Sequence, residues 1–138
     1  MEKKPNLWII FYGIPRSLEY THSSINKNLI EPLKTNWNVK ISCHLYDMKE
    51  IENSRSGERG ELPKENPGLL APDHYALEKS NDIELLKYLN QIKEYGDTFK
   101  DNFKSTRNFL QSLQSTNRAF EMIKKKASLE DVFVFARP

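Results

Sequence analysis

The sequence predicts an α/β protein with a mainly parallel, Rossmann-like sheet and flanking helices. Leu7–Tyr12 and Asp131–Ala136 are continuous apolar segments of β-branched and aromatic residues, which is typical of strands buried on both faces. A helical pattern and a second strand pattern follow the first of these segments, and strand, helix and strand in succession form a βαβ unit. The 138 residues provide for one domain, spanning 1–138.

The first three elements are read in order from their apolar spacing. Gly13 and Pro15 end the first strand, and Ser17 is a candidate N-cap for the helix that follows. This helix has apolar positions three and four residues apart and is predicted to end around Pro32. Strict alternation then predicts a strand over Val39–Tyr46, with one face formed by Val39, Ile41, Cys43 and Leu45.

Residues 48–79 are polar and rich in glycine and proline, and they predict a long loop. Loops longer than about 12–15 residues are uncommon in compact domains, so this segment is either a functional lid or a mobile surface insertion. A short amphipathic helix over Ile83–Ile92 should stop near Gly96. A longer helix is expected over residues 99–126, with a possible break at 106–107, before the fully buried last strand of a three-stranded parallel sheet.

Composition excludes several classes of protein. The formal charge of +2 is too small for a nucleic-acid binder that acts through bulk electrostatics. The single Cys43 excludes an intramolecular disulfide framework and favours a reducing, cytoplasmic location. No apolar run reaches the roughly 20 residues of a transmembrane helix. Seven basic residues between positions 98 and 126 indicate a solvated helix face or, alternatively, a contact with phosphate or an acidic membrane surface.

If the strands are parallel, polar residues after each strand meet at one edge of the sheet, where α/β folds bind ligands. The turn after the first strand feeds a helix N-terminus, which favours an anion, and Arg16 adds a planar cationic group suited to phosphate. We therefore expect donor or phosphate binding by residues from three clusters: Gly13, Pro15, Arg16, Ser17, His44, Asp47 and Arg137.

Each cluster also has a purely structural interpretation. The turn at Gly13 lacks the dinucleotide-binding glycine pattern, and His44 could be a hydrogen-bonded residue under a helix. Asp47 could cap a turn, and Arg137 could pair with Asp131 or Glu130.

The chain shows no metal-ligand spacing and no nucleophile motif. Cys43 and His44 are adjacent, so their side chains point to opposite faces of a strand, and no structural zinc site is predicted. No catalytic residue can be named from the sequence.

Three segments together resemble a family of bacterial and viral glycosyltransferase-like proteins associated with capsule and other surface-polysaccharide synthesis. They are FYGIPRS at Phe11–Ser17, CHLYD at Cys43–Asp47 and EDVFVFARP at Glu130–Pro138. The resemblance implies a GT-A-like fold whose first βα turn meets a nucleotide-sugar donor, with a glycan as acceptor. It also implies Mn²⁺ or Mg²⁺ held by acidic residues on the sugar diphosphate.

In that family an Asp usually follows the Arg-Pro pair, whereas Pro138 is the last residue here. We therefore expect the chain to be the N-terminal part of a longer fold, with metal ligands beyond residue 138, and to be inactive in isolation. The alternative is a non-catalytic nucleotide- or phosphate-binding module, or a scaffold. A peripheral membrane contact through the basic residues is a further expectation.

Overall fold

A parallel sheet of four strands forms the centre of the protein, in the order β5-β2-β1-β6. A computed structural model describes residues 3–64, 66–80 and 82–138. The sheet consists of β1 (Asn6–Gly13), β2 (Asn38–Tyr46), β5 (His74–Glu78) and β6 (Val132–Ala136). All three pairings are parallel, which confirms the α/β prediction, although the sheet has one strand more than expected.

Strand β1 is buried on both faces, as its continuous apolar sequence predicts. Leu7, Ile9 and Phe11 pack into the larger core cluster, together with the alternating residues of β2. Trp8 and Ile10 point to the opposite face and pack against a second cluster. Helices therefore cover both faces of the sheet, which gives three layers.

The helix after β1 covers the larger core cluster. It comprises α1 (Leu18–Ile25), a π-helical segment (Asn26–Ile30) and α2 (Glu31–Lys34), so it continues past the predicted end at Pro32. Proline lacks an N–H group and its ring crowds the carbonyl four residues earlier. The wider π-helical turn just before Pro32 accommodates this loss.

The prediction of a long loop over residues 48–79 is wrong. The segment contains an antiparallel hairpin of β3 (Glu50–Asn53) and β4 (Glu58–Glu61), a 3₁₀ helix (Pro67–Leu70) and strand β5. In β5 the large apolar side chains of Tyr75 and Leu77 are exposed, while His74 and Glu78 are half-buried. Because this pattern reverses the usual alternation, hydrophobicity gave no signal for the strand.

Two helices connect β5 to β6. Helix α3 (Asp82–Ile92) passes through a 3₁₀ turn (Lys93–Tyr95) and stops at Gly96, whose φ is +86°, close to the predicted end. Helix α4 (Lys104–Glu121) is unbroken at 106–107. It begins later than predicted because residues 99–103 form turns that include three positive φ angles.

The face of α4 that meets the sheet is partly polar, which the sequence pattern did not predict. Ser105, Gln111 and Ser115 are buried, while Phe109 and Leu113 are exposed. Farther along the helix, Ala119 and the following Ile123 pack on Trp8 and Ile10. The first half of α4 thus presents polar groups to the carboxyl ends of the strands, and its second half completes the core.

The last strand, β6, lies at an edge and is not fully buried as predicted. Val132 is 39% exposed and Phe135 is 48% exposed. Within the described residues β6 pairs with β1 alone. An apolar sequence identifies a strand that suits a buried position, but only the neighbouring strands decide whether both of its sides are covered.

Candidate binding cleft at the carboxyl edge of the sheet

The order of the strands creates a crevice between β1 and β6. The chain proceeds outward from β1 to β2 and β5, and it then returns to the other side of β1 to form β6. Strands that follow β1 in the chain therefore lie on both sides of it, and open parallel sheets bind ligands where the strand order reverses in this way.

A cleft of about 350 Å³ lies at this reversal. Its walls come from the ends of the strands, the β3–β4 hairpin, the first half of α4 and the last residues of the chain. The lining residues that matter for its chemistry are Gly13, Ile14, Arg16, Tyr46, Met48, Ile51, Glu52, Arg55, Phe109, Ser112 and Arg137.

The glycine turn after β1 is one wall of the cleft, as expected. Gly13 has φ +102°, a conformation that favours glycine, and its N–H donates to Ser115 Oγ at 2.8 Å. Pro15 is buried, and the Ser17 side chain forms no cap hydrogen bond. Neither Pro15 nor Ser17 lines the cleft, and helix α4 holds the turn through Ser115.

Arg16 enters the cleft as predicted, but it is not free. Its guanidinium forms an ion pair with Glu58 on β4, at the tip of the hairpin. Both side chains remain partly exposed. A ligand that uses Arg16 would therefore share it with Glu58 or displace Glu58.

Arg137 reaches the same cleft from the end of β6. It donates to Ser112 Oγ at 2.8 Å, and its guanidinium carbon lies 5.7 Å from the centre of the Tyr12 ring. The structure shows no pairing of Arg137 with Asp131, which instead accepts hydrogen bonds from Trp8. The alternative pairing with Asp131 is therefore wrong, and the ligand-binding role of Arg137 stays a prediction.

A third arginine, which was not predicted from the sequence, also lines the cleft. Arg55 lies in the hairpin turn, lines the cleft, and has its guanidinium carbon 4.7 Å from the centre of the Phe99 ring. Glu52, the one carboxylate side chain among the described lining residues, pairs with Lys104 Nζ at 2.8 Å, and hydrogen bonding and charge from Lys104 lower the pKa of Glu52. The lining is therefore predominantly cationic.

His44 lies beneath α4 and does not line the cleft, so the hydrogen-bonded interpretation is the correct one. Its side chain is fully buried, and Nδ1 lies 2.7 Å from Ser115 Oγ. Nε2 forms no hydrogen bond and lies 3.4 Å from Glu78 on β5. Burial lowers the pKa of His44; Glu78 opposes the shift, and Arg118 on α4 adds to it.

The other residue expected from the second cluster, Asp47, is exposed and outside the lining of the cleft; its backbone N–H donates to the Glu78 carbonyl at 2.7 Å. Its neighbour Tyr46 is the one that lines the cleft. The Tyr46 hydroxyl donates to Gln114, and burial raises the pKa of Tyr46 to about 12, so the phenol is neutral at ordinary pH.

Helix α4 supplies several lining residues that were not predicted, including Phe109 and Ser112. A signal for them exists in the sequence. Polar residues at Ser105, Asn108, Ser112 and Ser115 recur every three or four positions and so mark one face of a helix. The apolar residues predict a different packed face, but Ser105 and Ser115 are buried whereas Phe109 and Leu113 are exposed.

Across the described ranges, no group of three or more His, Cys, Asp or Glu side chains is placed to hold a metal ion. None of the helices described combines the length and apolarity needed to cross a membrane. In comparisons with protein-family models, curated proteins and solved structures, nothing matched the chain.

Proposed function

We propose that this cleft binds the diphosphate of a nucleotide sugar, and that the chain is the donor-binding part of a glycosyltransferase in glycan biosynthesis. One observation carries the proposal: Arg16, Arg137 and the glycine turn converge on one cleft at the reversal of strand order. The resemblance of the three segments at Phe11–Ser17, Cys43–Asp47 and Glu130–Pro138 supplies the reaction class.

The arrangement of the arginines suits an anionic ligand. Arg55 and Arg137 lie over aromatic rings, and within the described residues neither pairs with a carboxylate. A guanidinium that lies over a ring can still offer N–H groups at its edge to phosphate oxygens. A diphosphate would thus bring its charge to donors that the protein itself has left unneutralised.

The opposite part of the lining suits the nucleoside. Phe109 is 61% exposed and lines the cleft together with Met48 and Ile51. Small-molecule sites combine apolar and aromatic walls with a few convergent polar groups. We infer that the base or sugar rests against this apolar side while the phosphates meet the arginines.

The described residues of the cleft do not fit a metal site. Glu52, the acid that lines it, is engaged by Lys104. The Mn²⁺ or Mg²⁺ that the resemblance implies therefore finds no uncommitted acid among the described lining residues. The role we assign to this chain is therefore binding and orientation of the donor.

Calorimetry with UDP, GDP and inorganic pyrophosphate tests the proposal. We expect Arg16→Ala and Arg137→Ala each to weaken binding by about 1.5–3 kcal/mol, or roughly 10- to 150-fold, as for loss of a charged hydrogen bond. Arg59→Ala is the matched control, because it removes the same charge at a position on β4 that does not line this cleft. A folded wild type that binds none of the three compounds would refute the proposal.

The second candidate function is binding without catalysis. The ion pair of Glu52 with Lys104 favours it, because the described lining residues then include no unpaired carboxylate that could act as a general acid or base. Turnover of a nucleotide sugar separates the two candidates. A longer protein that includes residues beyond Pro138 should release nucleoside diphosphate if it is a transferase. A binding module should retain affinity and show no release.

A further inference from the structure

One turn of α4 contacts both anion-binding elements of the cleft. Ser115 holds the glycine turn through the Gly13 N–H, and Ser112 accepts a hydrogen bond from Arg137. Residues three apart lie on the same face of a helix, so the two hydroxyls point to neighbouring parts of the site. Neither serine was predicted from the sequence.

The hydroxyl of Ser115 is buried and fully used. It lies 2.8 Å from Gly13 N, 2.9 Å from the His44 carbonyl oxygen and 2.7 Å from His44 Nδ1. A serine hydroxyl has one proton to donate and two lone pairs that accept. The carbonyl must receive the hydroxyl proton, so the lone pairs accept from Gly13 N–H and from His44 Nδ1–H.

This count assigns the ring proton of neutral His44 to Nδ1. Nε2 then carries no proton, and it faces Glu78 at 3.4 Å without a hydrogen bond. Ser115 therefore fixes two strands at once: it orients the turn after β1, and it ties that turn to β2.

Ser112 has the corresponding role on the other side of the cleft. The guanidinium of Arg137 is held between Ser112 Oγ at 2.8 Å and the ring of Tyr12 at 5.7 Å. Two contacts from different elements restrict a long side chain that would otherwise sample many rotamers, and ordering it beforehand lowers the entropy cost of binding.

We propose that Ser112 and Ser115 are positioning residues that set the Arg137 guanidinium and the Gly13 turn in the geometry that receives the diphosphate. The inference rests on the proposed function. It adds that helix α4, which contributes no charge to these two contacts, determines how well the charged and backbone groups converge.

The first experiment needs no ligand. In NMR spectra of ¹⁵N-labelled protein, Ser115→Ala should shift the Gly13 amide and speed its hydrogen exchange, because its acceptor is removed. It should also move the ring proton of His44 from Nδ1 to Nε2, where Glu78 can accept it. Thr116→Val is the matched control, because the Thr116 hydroxyl bonds only to a carbonyl of its own helix, that of Ser112. An unchanged Gly13 amide and His44 tautomer in Ser115→Ala would overturn the inference for Ser115.

The second experiment measures affinity for inorganic pyrophosphate. Ser115→Ala and Ser112→Ala should each weaken binding by about 3- to 10-fold, as for loss of an ordinary hydrogen bond, while Ser112→Thr and Thr116→Val should bind like the wild type. Ser112 is only half-buried, so its variant tests the idea even if Ser115→Ala folds poorly.

The outcomes separate the two proposals. A wild type that binds while both alanine variants bind equally well would overturn the positioning role alone. A folded wild type that binds neither pyrophosphate nor any nucleoside diphosphate would overturn the proposed function and, with it, the binding role of both serines.

Discussion

Glu58 forms an ion pair with Arg16, which the proposed ligand would also bind. Removing the charge of Glu58 should therefore strengthen ligand binding. In Glu58→Gln the side chain keeps its shape but loses the ion pair with Arg16. The ligand would then no longer compete with a carboxylate for the guanidinium. We expect the affinity for pyrophosphate and UDP to rise.

The exposure of the pair sets the size of the gain. The Arg16 and Glu58 side chains are 43% and 34% exposed, so solvent screens their attraction. Exposed pairs contribute about 0.2–1 kcal/mol, which corresponds to a gain of roughly 1.4- to 5-fold in affinity. The gain should shrink as salt is raised, because the Debye length falls to about 10 Å at 0.1 M.

Calorimetry at low and high salt measures this gain, with Glu61→Gln as the control. Glu61 lies on the same strand, loses the same charge, and does not line the cleft. If Glu58→Gln binds no more tightly than Glu61→Gln, Glu58 does not compete with the ligand. A loss of affinity in Glu58→Gln would instead mean that the ion pair orients Arg16 for binding.

Three further predictions concern stability. Asp131→Ala should lower the free energy of unfolding by about 1–3 kcal/mol, because the buried N–H of Trp8 loses its acceptor at 2.9 Å. Glu130→Ala, a change at the exposed neighbour, should alter it by no more than about 0.5 kcal/mol, and equal urea midpoints for the two variants would contradict the prediction. Gly13→Ala should cost about 1–2 kcal/mol in thermal unfolding, because φ is +102° although a Cβ would meet no atom within 4 Å; an unchanged melting temperature would exclude the strain. The native pKa of His44 is lowered, so its contribution to stability is complete above pH 6.5 and declines as pH falls below that value; urea midpoints between pH 8 and 5 should drop more for the wild type than for His44→Gln, and parallel curves would refute the assignment.

The elements that sequence predicted well are those whose side chains pack as their periodicity implies. Strand β1 is apolar throughout because both of its faces are covered, and β2 alternates because Ile41, Cys43 and Leu45 all enter one core cluster. Strand β5 was missed because its exposed face carries Tyr75 and Leu77. Parallel pairing with β2 makes this segment a strand, although its side-chain pattern does not indicate one.

The residues of the candidate site also differ in how well the sequence predicted them. Gly13, Arg16 and Arg137 were predicted because each directly follows a recognisable strand, and parallel strands bring their carboxyl ends together. His44 was offered with two interpretations because alternation shows that it leaves the Cys43 face but cannot show what covers the other face. Helix α4 covers that face, and its Ser115 Oγ forms a hydrogen bond with Nδ1 of the His44 ring.

The amino-acid sequence by itself determined the α/β class, the βαβ start and the chemistry of the turn after β1, because these depend on local spacing and on residues next to one another in the chain. Only the tertiary structure decided that β6 returns to the far side of β1, which places Arg137 opposite Arg16. It also decided that α4 turns a polar face toward this edge, where Ser115 contacts both Gly13 and His44, which precede it by 102 and 71 residues in the sequence. Such contacts follow from the order of strands in space, which no local pattern specifies.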